Sequence, residues 1–248
     1  MKNFSSLVIL AFSALTSTFL LGDTIYVKET NTGTRNGTSW ATAYTSVQTA
    51  LEFSSPGDQI WVAKGTYYPD EGFGQTNSDM DASFEMKDDV DLYGGFSGSE
   101  QFLFQRVLNN ANRTILSGDI GQDDDPNDPL TFQLLNSTHV VTVENTTNTT
   151  NTTINGFTIE AGYRIIPDAT GAGMVISSSI IVENCVFLNN TSIFGGAVSI
   201  NYPDPAGSVS PANFLICRFI DNTSFTDIDG AGAGGAVYNR RIRFNIWY

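Results

Sequence analysis

The stretch that decides the fold is Asn184-Cys185-Val186-Phe187-Leu188-Asn189-Asn190-Thr191-Ser192, which is followed by Gly195-Gly196-Ala197-Val198. It recurs as Ile216-Cys217-Arg218-Phe219-Ile220-Asp221-Asn222-Thr223-Ser224, followed by Gly234-Gly235-Ala236-Val237. A looser copy, Gly156-Phe157-Thr158-Ile159 and then Gly171-Ala172-Gly173-Met174-Val175, precedes both. The aligned residues Phe157, Phe187 and Phe219 are 30 and 32 residues apart. Self-similarity at such a period is typical of repeat architectures.

Each repeat contains two short apolar segments joined by turn-forming residues, a pattern that predicts stacked parallel strands. A short strand cannot bury its apolar side alone, whereas equivalent strands stacked about 4.8 Å apart bury a continuous column of like residues. Asn190 and Asn222 occupy a fixed bend, where asparagine tolerates a left-handed backbone and its amide can bond the asparagine of the next repeat. The pairs Gly195-Gly196 and Gly234-Gly235 suit a tight corner. The sequence therefore predicts an all-β fold, a single-stranded right-handed parallel β-helix.

Similar two-strand units are predicted upstream, at residues 59–63, 90–93, 113–116 and 139–143, whose starts are about one repeat apart. A first strand is predicted at Thr24–Val27, followed by a short capping helix. Thr45 and Gln48 form a capping-box pattern there, and Val47, Ala50 and Leu51 share one helical face. An exposed sheet edge needs a cover, so this helix is expected to lie over the first strands.

The two ends of the chain differ in composition from the repeats. Lys2 and the uncharged apolar run over residues 7–21 predict a signal peptide at residues 1–22. Residues 23–239 are then the β-helix, and no second apolar stretch of spanning length follows, so no stable membrane span is expected after cleavage. Residues 240–248 form an atypical basic tail, which we interpret as C-terminal truncation or a frameshift of a longer gene product, the alternative being a purpose-built basic tail.

Composition excludes several classes of function. The chain has 26 Asp and Glu residues against 12 Lys and Arg, a formal net charge of −14, so it should repel nucleic acid. One histidine excludes a multi-histidine metal site. Two cysteines exclude a disulfide-rich scaffold.

Two parts of the sequence resemble known families. The Phe-x-x-Asn and Gly-Gly-Ala-aliphatic halves of the repeats resemble those of polymorphic outer membrane proteins. The N-terminal part is similar to the opening of large secreted bacterial β-helix proteins, through Asn36-Gly37-Thr38-Ser39-Trp40, Gly57-Asp58-Gln59-Ile60-Trp61-Val62-Ala63-Lys64-Gly65-Thr66-Tyr67, Tyr93-Gly94-Gly95-Phe96 and Leu116-Ser117-Gly118-Asp119-Ile120. The resemblance implies a pectin-lyase-like passenger, secreted or displayed at the cell outer membrane, that often serves adhesion to a host surface or glycan. It also implies a C-terminal barrel or sorting domain, and neither is recognisable in this sequence.

The acidic loop, residues 119–128, is the strongest candidate for chemistry. Its Gly121-Gln122-Asp123-Asp124 resembles a polygalacturonase motif in which paired carboxylates hydrolyse the glycosidic bond. The other elements of that site are missing, since His139 has no glycine beside it and Arg164-Ile165-Ile166 lacks the lysine. The loop could instead bind Ca²⁺ through oxygen ligands, with Asp119, Asp123, Asp124, Asp125 and Asp128 as candidates. The alternative is a solvated acidic turn.

Cys185 and Cys217 occupy the same place in successive repeats, so stacking would bring them close together. Either a disulfide or a buried ladder of free thiols fits this placement. Neither cysteine is expected to be catalytic, because the repeat places no histidine beside it.

Three functions follow from the sequence. The leading one is an exported β-helix passenger with a non-enzymatic adhesive or structural role. The second is a polysaccharide-binding or polysaccharide-degrading protein like a pectate lyase or polygalacturonase, whose sugars could stack on aromatic side chains near the N-terminus. These are Trp40, Trp61, Tyr67, Tyr68, Tyr93 and Phe96, several of which are expected in the core. The third is a non-functional fragment of a longer adhesin.

Overall fold

The computed structural model describes residues 22–125, 135–144, 152–202, 212–226, 230 and 234–241. These residues form one α-helix, α1 (Val47–Phe53), and 19 strands. The strands are β1 (Thr24–Val27), β2 (Gln59–Ala63), β3 (Gly65–Tyr67), β4 (Phe84–Glu85), β5 (Asp91–Phe96), β6 (Thr114–Ser117), β7 (Val141–Val143), β8 (Thr153–Asn155), β9 (Phe157–Glu160), β10 (Tyr163–Arg164), β11 (Met174–Ile176), β12 (Ile181–Glu183), β13 (Val186–Leu188), β14 (Thr191–Ser192), β15 (Val198–Tyr202), β16 (Asn213–Leu215), β17 (Arg218–Ile220), β18 (Thr223–Ser224) and β19 (Val237–Arg241). Three-residue 3-10 turns lie at Trp40–Thr42, Leu103–Gln105 and Asn110–Asn112.

The fold is all-β, as predicted, and its strands lie in four parallel sheets. One sheet has the order β1-β2-β5-β8-β12-β16, and a second has the order β17-β13-β9-β6-β3. The third is β19-β15-β11-β7-β4, and the smallest is β10-β14-β18. Each of the three larger sheets therefore receives one strand from each repeat from β2 onward, and the smallest sheet receives one from each of the last three.

The repeat contains more strands than the two that the sequence predicts. β12, β13, β14 and β15 follow one another along the chain, and each joins a different sheet. Upstream, β5, β6 and β7 also go to three different sheets, so the segments at residues 90–93, 113–116 and 139–143 belong to one repeat instead of starting three. The prediction was wrong because short apolar strands look alike in sequence whichever sheet they join.

Strand register pairs residues that the sequence aligned between the two close copies, and it differs from the alignment of the looser copy. Phe187 pairs with Phe219, and Val198 pairs with Val237. On its other side, however, Phe187 pairs with Ile159, two residues beyond the predicted Phe157. A shift of two residues keeps every side chain on the same face of a strand, so the apolar pattern alone could not fix this register.

Helix α1 covers apolar residues at the start of the sheets. Val47, Ala50 and Leu51 are buried, as predicted, and the helix contacts β1, β2 and β4. Its N-cap is Ser46 and not the predicted Thr45, because the Ser46 side chain accepts the backbone N–H of Thr49 at 3.1 Å. The Gln48 side chain instead donates to the carbonyl oxygens of Pro69 and Ser83 at 2.6 and 2.8 Å, which ties the helix to the following loop.

One hydrophobic cluster runs through the described residues from Ile25 to Ile200. At its C-terminal end β19 pairs with β15 through Arg241, so two residues of the predicted tail continue a strand. The rest of that tail, residues 242–248, and residues 1–21 of the predicted signal peptide lie outside the described residues. Within the described part of the chain, no helix has the length and apolar character needed to cross a membrane.

Candidate functional site

The acidic loop begins where β6 ends and brings three carboxylates together. The described group consists of Asp119, Asp123 and Asp124, each with a carboxylate oxygen within 4.8 Å of the others. The turn is closed by its own backbone: the N–H groups of Asp123 and Asp124 donate to the two carboxylate oxygens of Asp119 at 3.0 and 3.4 Å. We call these three residues the carboxylate cluster.

The base of the loop is held by residues that follow it in the chain. Asp119 forms an isolated antiparallel bridge with Asn136, and the N–H of Gly121 donates to the carbonyl oxygen of Leu135 at 3.1 Å. The Asn136 side chain donates through Nδ2 to Asp124 Oδ2 at 3.1 Å and to the carbonyl oxygen of Ala161 at 2.8 Å. Asn136 thus connects the carboxylate cluster to Ala161, the residue directly after β9.

Negative charge is concentrated at this loop. The pKa of Asp124 is raised to about 6, mainly by burial and also by the nearby carboxylates of Asp119, Asp123 and Glu160. The hydrogen bond from Asn136 acts in the opposite direction and lowers this pKa. Tyr68 is affected in the same way, because burial and then the charge of Asp119 raise its pKa to about 12. The cluster therefore carries repulsion that a bound cation would relieve.

Two oxygen atoms of this site are buried without a hydrogen-bond partner: Asp124 Oδ1 and Asn136 Oδ1. Asn136 is only 1% exposed. Both residues line a cavity of about 170 Å³, whose other walls are Ala161, Gly162, Tyr163, Asn189, Thr191, Asp221 and Thr223. The polar side chains around this cavity offer mostly oxygen atoms, which are the donors that hard cations prefer.

The remaining residues predicted for this loop have different positions. Asp125 is exposed and does not belong to the cluster of three. Asp128 lies outside the described residues.

His139 is largely buried and donates through Nδ1 to the carbonyl oxygen of Gly171 at 3.0 Å, and burial lowers its pKa. A neutral histidine that holds a backbone carbonyl has a structural role here.

The repeated residues form columns of like side chains. The rings of Phe187 and Phe219 stack, with centroids 5.1 Å apart and planes inclined by 7°. Asn190 donates from its backbone N–H and from Nδ2 to Asn222 Oδ1, at 3.1 and 2.9 Å. Asn222 Nδ2 in turn donates to the carbonyl oxygen of Phe187 at 2.9 Å. The predicted asparagine ladder therefore forms between these two repeats.

The backbone at the bend differs from the prediction in one respect. The left-handed residues are Asn189 and Asp221, with φ of 53° and 52°, one position before the ladder asparagines. The glycine corners agree with the prediction. Gly195 and Gly234 have φ of 62° and 66°, and a Cβ on Gly196 would collide with the carbonyl oxygens of Thr223 and Gly235.

The two cysteines are free thiols, and each forms the same kind of hydrogen bond to a backbone carbonyl oxygen. Cys185 Sγ donates to the carbonyl oxygen of Ile154 at 3.7 Å, and Cys217 Sγ to that of Val182 at 3.4 Å. Each acceptor lies in the preceding repeat, since Val182 pairs with Ile154. Burial raises the pKa of both thiols, to about 12 for the fully buried Cys185. These cysteines are therefore poor nucleophiles and pack within the repeat.

A second surface, which the sequence did not point to, lies beside α1. The rings of Tyr44, Phe53 and Phe73 form a row with centroid distances of 6.0 and 5.1 Å, and we call these residues the aromatic row. Phe53 and Phe73 are 53% and 58% exposed. They line a cavity of about 730 Å³ together with Glu29, Arg35, Tyr68, Glu71 and Gln122. By contrast, Trp61, Tyr67 and Phe96 of the predicted aromatic set are buried in the core.

Comparison of the chain with protein-family models, with curated proteins and with solved structures finds no match in any of the three.

Proposed function

We propose that this chain is an exported passenger protein, secreted or displayed at the cell surface, with a non-enzymatic adhesive or structural role. The observation that carries the proposal is the repeated register, in which Phe187 pairs with Phe219 and Val198 with Val237. Such stacking produces a long, stiff surface from short units, which suits presentation of a binding surface away from the cell.

The proposal includes winding of the repeats into a right-handed parallel β-helix. Three facts support this winding: all named strand pairs are parallel, successive strands enter the sheets in the same order in each repeat, and one apolar cluster lies within. Right-handed crossovers are the rule for parallel strands. A crystal structure of residues 23–241 tests the winding, and a left-handed path or a flat stack of sheets would contradict it.

Family membership is proposed from the resemblance of the sequence motifs. The Phe-x-x-Asn and Gly-Gly-Ala-aliphatic repeats support kinship with polymorphic outer membrane proteins and with pectin-lyase-like β-helix proteins. The Asn190–Asn222 ladder and the Gly196 corner supply physical reasons for those motif residues, and so add to the case.

Export is tested by expressing the full chain in a Gram-negative bacterium and analysing each cell fraction. We expect the protein in the medium or at the outer membrane, with a mature N-terminus near Asp23 identified by mass spectrometry. Replacing apolar residues of the segment 7–21 with charged ones should keep the protein in the cytoplasm. Full-length protein that stays in the cytoplasm without this change would contradict the proposal.

The absence of catalysis is a separate expectation. Inverting hydrolysis of a glycan needs a raised-pKa acid and a second carboxylate on the opposite side of the bond, about 6.5–9.5 Å away, and elimination needs a base beside a metal. Asp124 has a raised pKa, but the oxygens of Asp119, Asp123 and Asp124 lie within 4.8 Å of one another on one turn, which leaves no room for the bond and the attacking water between them. We expect the purified protein to turn over neither pectin nor polygalacturonate. Turnover that is lost in a folded Asp123→Asn or Asp124→Asn variant would overturn the non-enzymatic proposal.

A second candidate function, polysaccharide binding, is favoured by the aromatic row. Exposed aromatic faces beside Glu29, Arg35, Glu71 and Gln122 combine apolar platforms with hydrogen-bonding groups, as in many ligand pockets. A glycan array with purified protein tests it. Phe53→Ala and Phe73→Ala should abolish any binding, whereas Phe104→Ala, an exposed phenylalanine outside this cavity, should not. Binding that survives both changes in the row would reject this site.

A further inference from the structure

The buried Asn136, which lies beside the carboxylate cluster, has one feature that packing does not explain. Asn136 Oδ1 has no hydrogen-bond partner although the residue is 1% exposed. An acceptor that is buried and unpaired destabilises the folded state, and native proteins rarely keep one without a ligand, water or ion to satisfy it. The same amide donates to Asp124, so it borders the cluster directly.

We propose that a calcium ion binds at the base of the acidic loop, held by the carboxylates of Asp119, Asp123 and Asp124 and by the buried Oδ1 of Asn136. The ion ties the start of the loop to the residues that follow it, across the bridge between Asp119 and Asn136.

The donor set selects the class of ion. Every proposed protein ligand is an oxygen, and neither histidine nor cysteine belongs to the described cluster, so a hard cation is favoured over zinc or copper. The ligands come from an irregular turn and from a residue beyond it, which suits the variable geometry of Ca²⁺ better than the strict octahedron of Mg²⁺. Water molecules in the adjoining cavity of about 170 Å³ can complete the coordination.

The surroundings also favour a cation. Asp221 and the hydroxyl-bearing Thr191 and Thr223 line the same cavity as Asp124 and Asn136, and no lysine or arginine is among the described residues that line it. Three carboxylates within 4.8 Å of one another repel each other unless a positive charge lies between them. The proposal is independent of the proposed export and adhesion, because it depends only on these residues.

The first experiment is isothermal titration of CaCl₂ into chelator-treated protein, with thermal melting followed in parallel. We expect one site per chain, with an affinity between micromolar and millimolar, and a higher Tm in millimolar Ca²⁺. No binding heat together with an unchanged Tm would overturn the proposal.

Variants locate the site. Asp124→Asn should raise the Tm without calcium, because it removes repulsion, yet weaken Ca²⁺ binding about tenfold or more. Asn136→Ala should also weaken binding, and Asp124→Asn covers the case in which loss of the buried amide prevents folding. Glu52→Gln removes one charge from an exposed residue of α1 and serves as the matched control. Affinity that is unchanged in Asp119→Asn and Asp124→Asn would overturn the assignment.

Terbium luminescence gives a readout independent of stability. Tyr163 lines the cavity with Asp124 and Asn136, so bound Tb³⁺ should accept energy from its ring and emit, and excess Ca²⁺ should suppress the emission. Tyr163→Phe should lower the emission and leave Ca²⁺ affinity unchanged. Emission that persists fully in both Tyr163→Phe and Asp124→Asn would place the ion elsewhere and reject the proposed site.

Discussion

At the scale of single residues, Ile216 occupies a backbone conformation that its side chain disfavours. Its φ is 56°, and the residues at the same place in earlier repeats are Asn184, with φ of 53°, and Gly156, with φ of 87°. A left-handed conformation costs an L-residue roughly 1–2 kcal/mol, and more for a β-branched one than for asparagine. Ile216 is 78% exposed, so it gains little packing in return.

We therefore expect Ile216→Asn to raise the free energy of unfolding by about 1 kcal/mol. Chemical denaturation of the two proteins measures the difference. The reverse change one repeat earlier, Asn184→Ile, is the control and should destabilise by a similar amount. A loss of stability in Ile216→Asn would show that the strain does not exist.

Asn190 is the residue with the most connected side chain in the ladder. It is fully buried, accepts the N–H of Gly162 at 3.0 Å, and donates to the carbonyl oxygen of Ile159 and to Asn222. Asn190→Ala leaves these groups buried and unpaired, so we expect it to lower the free energy of unfolding by about 2–4 kcal/mol. Asn222→Ala should cost less, because Asn222 is only half-buried. Equal costs in denaturant titrations would argue against the ladder.

At the scale of elements, the structure and the sequence pattern give different N-cap residues for α1, which are one position apart. Ser46 accepts the N–H of Thr49, whereas the sequence pattern favoured Thr45. Ser46→Ala should lower stability by about 1 kcal/mol, a usual cost of losing an N-cap, and Thr45→Ala should change it by less than about 0.5 kcal/mol. Thermal or urea denaturation of both variants decides between them, and the opposite ranking would restore Thr45 as the cap.

The thiols that precede β13 and β17 should differ in reactivity because the two repeats bury them to different extents. Cys185 is fully buried with its pKa raised to about 12, while Cys217 is half-buried. Since the thiolate is the reactive form, an alkylating reagent at mildly alkaline pH should label Cys217 first and Cys185 only upon unfolding. Mass spectrometry of the labelled peptides measures both. Equal labelling of the native protein would contradict the buried position of Cys185.

At the scale of the whole molecule, burial and the excess of negative charge combine to oppose further ionisation at high pH. Burial, and then neighbouring carboxylates, raise the pKa of Tyr68 and of Tyr93 to about 12. A group whose pKa is raised on folding binds its proton more tightly in the folded state. Its contribution to stability is therefore complete below its unfolded pKa of about 10 and is lost as the pH rises towards 12.

We expect the free energy of unfolding to fall as the pH rises through this window. Denaturant titrations at several pH values, together with tyrosinate absorbance, measure it. Tyr68→Phe should reduce the dependence on pH, and Tyr93→Phe should reduce it as well. Stability that is constant from pH 9 to the alkaline limit would contradict this expectation.

The sequence by itself determined the all-β class, the two close repeats and the buried face of α1. It could do so because Phe187 and Phe219, like Asn190 and Asn222, are identical residues 32 positions apart, and like residues stack in register. Only the tertiary structure decided how many strands each repeat contains and which residue of the looser copy lies beside Phe187. The apolar pattern has a period of two, so it indicates which face of a strand is buried. It does not indicate which sheet the strand joins, and it fits two registers that differ by two residues equally well. The structure also brought Asn136 against Asp124, because that contact joins residues 12 positions apart through the bridge at the base of the loop, and no local sequence pattern encodes such a closure.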